Sequence, residues 1–413
     1  ENRTFSRKNS GKFSPLPFLC GFRYSRRFAM KKRKIIFLIV IAVFFLSFGI
    51  KSTYAEESLT DIVSEELDNI DLSEVENMYE DAKIDNGKSF TEVLGDLLAG
   101  KFSADKDGFF VYLKKIFLND LYGFLPVFAS VIGIAVLCSL LQNFKSSYLS
   151  ECVNEVVFMV GFASVTLIIV PQMVRMCTET QKAISDIAKA GEIMCPIMAT
   201  LMVATGSEVS ASVYKPSLLF FTNGIINVYS SIILPIAGLI AAFSAIAVFS
   251  PKFKLNKFID FFASVIKWIV GFIVTFFGVY LSAAGITSAT YDGITFKAAK
   301  YVVSNSVPIV GGFLKDGFDL VLAGSVLIKN SVGVIGIILV FYKILTPLVS
   351  MVVFSFLLKL TAAVTETFSF SAVSALMTSL SKSLSYYIMA LLTVGLMFFI
   401  LVLLMILSAG CLV

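Results

Sequence analysis

The run 384–407 passes through 24 residues without an acidic or basic side chain. It is one of several apolar runs longer than the roughly 20 residues a helix needs to cross a hydrocarbon core about 30 Å thick. A helix satisfies its own backbone groups in lipid, so the expected fold class is all-α: a polytopic helical membrane protein with about six transmembrane helices after a signal peptide. The expected spans are 109–142, 153–174, 217–249, 258–287, 331–358 and 384–407. Hydrophobic residues make up 57% of the chain and charged ones 15%, which excludes an ordinary soluble domain.

The net charge of +5 is unevenly spread: +6 over residues 1–29, +5 over 30–55, −11 over 56–120 and +5 over the remainder. No basic patch falls on a folded region, so no nucleic-acid partner is expected. Histidine is absent, which removes the commonest general base and the commonest metal ligand. Cys20, Cys138, Cys152, Cys177, Cys195 and Cys411 form no CxxC pair and read as small apolar packing residues. Nothing matches a nucleotide-binding loop, a protease dyad or a metal cluster. No catalytic, cofactor-binding or metal-binding residue is therefore assigned, and an enzyme is the least supported class.

Residues 1–29 are rich in Ser, Arg and Phe and lack periodicity. Met30 then opens Lys31-Lys32-Arg33-Lys34, an apolar run to Ile50, and Thr53-Tyr54-Ala55 before Glu56. A basic segment, an apolar core and a small-residue cleavage site make a secretory signal peptide over 30–55, cleaved after Ala55. Residues 1–29 then read as upstream non-native translation. The competing reading is an uncleaved anchor helix, although the 16-residue run from Ile35 to Ile50 is short for a span.

Residues 56–108 form an acidic extracytoplasmic helical region. Leu59, Ile62, Val63, Leu67 and Ile70 recur at helical spacing. Ser73 with Glu76 predicts a capping box opening a second short helix, and Asn86-Gly87 predicts a turn. Residues 109–174 hold the first membrane helix pair. The segment 175–194 is amphipathic and predicts an interfacial helix. The short apolar segments 195–204 and 308–328 leave re-entrant, interfacial and spanning placements open.

Two stretches repeat in register. Gly224-Ile225-Ile226-Asn227 through Leu234-Pro235 aligns with Gly336-Ile337-Ile338-Leu339 through Thr346-Pro347 at a constant offset of 112 residues, and Pro196 aligns with Pro308 at the same offset. An internal duplication follows, with one membrane unit at 175–287 and a second at 288–413. Each unit holds two spans, so the copies share orientation about an axis along the membrane normal. Phe124-Leu125-Pro126-Val127 resembles Ile233-Leu234-Pro235-Ile236 and hints at a third, degenerate copy. An outside acidic region followed by six spans places loops 143–152, 250–257 and 359–383 in the cytoplasm. The positive-inside signal falls mostly on 250–257, with its three lysines.

Asn223, Asn227, Ser230 and Ser231 predict a polar face on one membrane helix, either lining a pathway or serving interhelical hydrogen bonds. Lys267 and Lys343 lie inside expected spans, where a charge is by default a functional candidate. Lys267 is nine residues beyond Phe258, about 13 Å at helical rise, and its stem can snorkel to the surface. Pro126, Pro235 and Pro347 mark the repeats and remove a backbone donor within each span. Such breaks suit the discontinuous helices of transporters, and proline is also simply more frequent in membrane helices.

Three runs, Phe124-Leu125-Pro126, Gly191-Glu192-Ile193-Met194-Cys195-Pro196-Ile197-Met198 with Thr205-Gly206, and Ser306-Val307-Pro308-Ile309-Val310-Gly311-Gly312, resemble the stage III sporulation protein AE family. The resemblance covers residues 30–413. It implies a component of the multi-protein channel between mother cell and forespore, made in the mother cell and placed in the membrane engulfing the forespore. It further implies partners among the membrane proteins of the same complex, including one on the forespore side, contact with membrane lipids, and a need for the protein in late forespore gene expression. No catalytic residue is implied. The alternative class is a stand-alone secondary transporter for a small solute, working around Asn227 and Lys343.

Overall fold

The computed structural model describes residues 72–81, 89–101, 106–143, 151–249, 254–306, 311–368 and 370–408. They lie within one compact unit, Thr53–Val413. The expected signal peptide, Ala55, the helix through Leu59 and Ile70 and the Asn86-Gly87 turn fall outside these residues. Eight helices follow in order among the described residues: α1 Ser73–Asp81, α2 Phe90–Leu98, α3 Lys106–Asn143, α4 Glu151–Ala204, α5 Glu208–Phe249, α6 Asn256–Ser306, α7 Gly311–Thr367 and α8 Ser371–Leu407.

Six of them, α3 to α8, are long and apolar enough to cross a membrane. α8 is central: half of its most apolar window is buried, against 44% for α7 and 28% for α4, α5 and α6. Lipid tails are as apolar as these side chains, so association rests on packing and interhelical hydrogen bonds rather than on escape from water. The packing is aromatic at many contacts. Phe354 of α7 receives Phe124 and Phe128 of α3 at 5.2 and 5.5 Å, and Phe221 of α5 meets Phe277 of α6 and Phe398 of α8 at 6.1 and 6.3 Å.

Close approach of α4 to α5 requires Gly191. A Cβ there would stand 2.4 Å from Cγ2 of Thr222, with Phe398 and Leu218 closing the remaining space. Thr222 holds its rotamer by donating to the Leu219 carbonyl at 3.2 Å, so swinging away costs that bond. Gly191→Val is expected to destabilise the bundle by about 1–3 kcal/mol through overpacking, read as a lower thermal midpoint in detergent. The α4–α5 reversal also needs glycine. Gly206 sits at φ 72°, and the Ser207 amide donates to the Met202 carbonyl at 2.9 Å, closing α4 with a Schellman turn.

Several helix ends gather on one side. Phe158 of α4 meets Phe370, which lies between α7 and α8, at 5.8 Å, and Phe162 meets Phe249 at the end of α5 at 5.6 Å. The first turns of α4, the end of α5 and the start of α8 therefore share a side. Two expectations change. The stretch 359–383 is not a long loop, because α7 runs on to Thr367 and α8 begins at Ser371. The segments 175–194 and 195–204 are neither a separate interfacial helix nor a re-entrant piece; both continue the 54-residue α4. A capping box opens α2 at Ser89, whose hydroxyl accepts from the Glu92 amide at 3.3 Å while Glu92 accepts from the Ser89 amide at 3.0 Å.

The two short helices rest on the flank of the bundle. Val75, Tyr79, Phe90, Val93 and Leu94 form a small cluster with Ile335, Ile338 and Leu339 of α7. The apolar stripe of α1 and α2 thus has its partner within the chain.

Candidate functional site

The backbone of α5 is irregular around the polar residues Asn223, Asn227, Ser230 and Ser231. Two π-helical turns, Phe221–Ile225 and Tyr229–Ile233, bracket Asn227. At the second, the Leu234 amide donates to the Tyr229 carbonyl five residues back. This widening adjoins Pro235, which has no amide to offer, and is one way a membrane helix accommodates a proline. Asn223, Asn227 and Ser231 are exposed and Ser230 is half-buried. Ser231 donates to Oδ1 of Asn227 at 2.9 Å, and Nδ2 of Asn223 donates to the Leu219 carbonyl at 3.3 Å. All these bonds stay within α5, so the face presents no bond to a neighbouring helix.

Lys343 is half-buried and lines a cleft of about 300 Å³ between α1, α4 and α7, together with Glu74, Asp81, Asp186 and Lys189. Its floor is apolar, with Met78, Ala190, Ile193 and Val340. Pro347 follows one turn later inside α7 and leaves the Lys343 carbonyl without its usual helical donor. Lys267 does not join this site; it is exposed on α6 beside Trp268, which is 75% exposed. Pro126 lies inside α3, and its carbonyl accepts from Ser130 at 2.9 Å.

Three ionisable groups escape a reading by apolar runs. Lys329 of α7 is fully buried, at 0% exposure, and its Nζ has no hydrogen-bond partner. Asp292 of α6 is 2% exposed. Its carboxylate accepts from the amides of Val209 at 2.9 Å and Ser210 at 3.0 Å, and from the Ser210 hydroxyl. It caps the start of α5, where the side chain of Ser207, the residue in the N-cap position, makes no capping bond. An anion is favoured at a helix N-terminus. Asp120 of α3 accepts from the Ser350 hydroxyl of α7 at 2.5 Å. Nearby, Thr180 of α4 donates to the sulfur of Met351 at 3.1 Å, and Arg175 pairs with Glu179 at 2.9 Å. Lower in the bundle Ser355 bonds Ser381 at 2.9 Å. Polar groups thus link α3, α4, α7 and α8 across the bundle, the adhesive role polar side chains play between membrane helices.

Six candidate spans around a polar-bonded core, with an ionisable group buried among them, define an integral membrane protein of the helical-bundle class. The chain belongs to the stage III sporulation protein AE family, whose profile matches residues 88–409. The stage III sporulation protein AE of Bacillus subtilis (strain 168) is 26% identical over 209 residues, which cover 50% of this chain and 52% of that protein. The chain thus matches about half the length of that curated relative. No solved structure matches. The protein is accordingly a sporulation membrane protein.

Proposed function

We propose that this chain is a membrane subunit of a sporulation-specific channel or secretion complex that links mother cell and forespore and is required for late forespore development. The observation that carries this reading is the family match over residues 88–409. In this reading the protein sits in the mother-cell membrane engulfing the forespore. Residues 30–55 are its signal peptide, cleaved after Ala55, and the acidic region 56–108 faces the intermembrane space. Its partners are the other membrane proteins of the complex, one of them on the forespore side. The chain is N-out and C-out in this reading, with the lysines of 250–257 marking the cytoplasmic side. The units 175–287 and 288–413 remain our reading of the repeat.

A fluorescent fusion begun at Met30 tests the proposal in sporulating cells. Enrichment in the membrane around the forespore is expected; a signal spread evenly through vegetative and sporulating membranes would sink it. The mixed-charge cleft at Lys343 favours a second reading, a secondary transporter for a small solute. Lys343→Met and Asn227→Ala separate the two. Lost solute uptake with complex recovery intact selects the transporter, and lost recovery of the complex selects the channel subunit.

A further inference from the structure

Five charged side chains line one cleft and do not pair across it. Glu74 and Asp81 come from α1, Asp186 and Lys189 from α4, and Lys343 from α7, around a space of about 300 Å³. No hydrogen bond or ion pair joins any of the five to another described residue. Their depth makes this unusual. Ile344, beside Lys343, stands against Gly395 of α8, in the middle of the run 384–407 that carries no charge. Charges at membrane depth normally pair with one another or meet a cavity, and mark a path or a ligand.

Packing keeps the walls apart. Val75 and Tyr79 seat α1 on Ile335, Ile338 and Leu339 of α7, and Met194 of α4 fills the space that a Cβ at Gly336 of α7 would need. The signs are sorted by wall: the charges of α1 are both acidic, that of α7 is basic, and α4 gives one of each. A lone anion would meet three carboxylates, and a lone cation two ammonium groups. The three carboxylates do not form a group able to hold a metal ion. A molecule of both signs suits both walls, because carboxylates only accept hydrogen bonds and lysine only donates them. We propose that this cleft binds a small zwitterion, its ammonium against Glu74, Asp81 and Asp186 and its phosphate or carboxylate against Lys189 and Lys343.

Size and floor agree with such a ligand. The volume is at the lower end for small-ligand pockets, about 300–1,000 Å³. Met78, Ala190, Ile193 and Val340 give the carbon atoms between the two charged ends an apolar surface. Two sources offer this chemistry: the headgroup of an aminophospholipid, with its acyl chains outside the cleft, and a free solute such as an amino acid. The inference shares its cleft with the transporter reading and names what binds there. It does not require that the ligand be carried across, so binding and uptake are separate readouts.

The test titrates the full-length chain, delipidated in detergent, with glycerophosphoethanolamine, and separately with glycerol phosphate and ethanolamine, which carry one sign each. The zwitterion is expected to bind about ten-fold or more tighter than either half, the effect of one hydrogen bond to a charged group. Lys343→Met and Asp81→Asn are each expected to weaken it by a similar factor, with thermal midpoints showing that both proteins are folded. Lys343→Arg is expected to keep most of the affinity. Nanodiscs separate the sources. Binding that is lost in phosphatidylethanolamine and kept in phosphatidylglycerol assigns the cleft to the lipid headgroup; equal binding in both assigns it to a free solute. Equal affinity for the zwitterion and its halves, or affinity unchanged in both Lys343→Met and Asp81→Asn, overturns the proposal and leaves five solvated charges. Binding without solute uptake would remove the transporter reading alone.

Discussion

Lys329→Met is expected to make the detergent-purified protein more stable by about 1–4 kcal/mol, the range seen when buried ion pairs or triads give way to apolar side chains of similar volume. The wild-type ammonium is fully buried without a hydrogen-bond partner, and the neighbouring Oδ1 of Asn330 also lacks one. One turn on, Gly333 faces the apolar side chains of Ile406 and Met198. An unpaired buried charge costs several kcal/mol even after relaxation, and methionine fills the volume without it. A higher thermal midpoint is the first readout. The second is spore formation. A lysine kept at such cost inside a membrane bundle is by default functional, so the same variant is expected to form fewer heat-resistant spores despite its greater stability. Lys329→Arg, which keeps the charge and adds bulk, is expected to be less stable than wild type. A methionine variant that is both more stable and fully able to sporulate would show that Lys329 has no role beyond being tolerated.

Lys329 also shows how far the sequence could be read. The six spans were legible because hydropathy reports directly on what a hydrocarbon layer excludes. Their ends were not. A run of apolar residues stops at Lys329-Asn330, so the chain reads as a semi-apolar piece to Ile328 and a new span from Ser331. Backbone hydrogen bonding takes no account of that change, and α7 passes through it from Gly311 to Thr367. The charged half of α4 and the stretch 359–383 were misjudged for the same reason: charge marks a change of surroundings, not the end of a helix. Of the candidate residues, Lys343 was placed beside a cleft only by α1, a contact between distant segments that no local spacing announces. The capping box at Ser89-Phe90-Thr91-Glu92 was available in the sequence through its spacing. Asp120 stands at the head of an apolar run, and its bond to Ser350 spans 230 residues. Its role was out of reach of any pattern.

Asp292→Ala is expected to destabilise the protein by about 2–4 kcal/mol, the other large effect. Asp292 stood in a stretch that looked merely polar, yet its carboxylate serves the first turn of another helix. Its loss strands the amides of Val209 and Ser210, which are half-buried and buried. A buried donor left without a partner costs about 1–3 kcal/mol, and loss of an N-cap alone typically costs about 0.5–2 kcal/mol. The Ser207 hydroxyl is poorly placed to take over, since it is buried and makes no capping bond in the intact chain. Asp292→Asn keeps one oxygen acceptor but loses the charge that the helix N-terminus favours, so it should fall between alanine and wild type. Thermal midpoints of the three proteins in one detergent check that order. Amide hydrogen exchange locates the effect: protection should fall first at Val209 and Ser210, while the far end of α5 near Phe249 keeps its protection. Equal loss along all of α5 would mean that Asp292 supports the packing of α6 on α5 rather than the first turn of that helix.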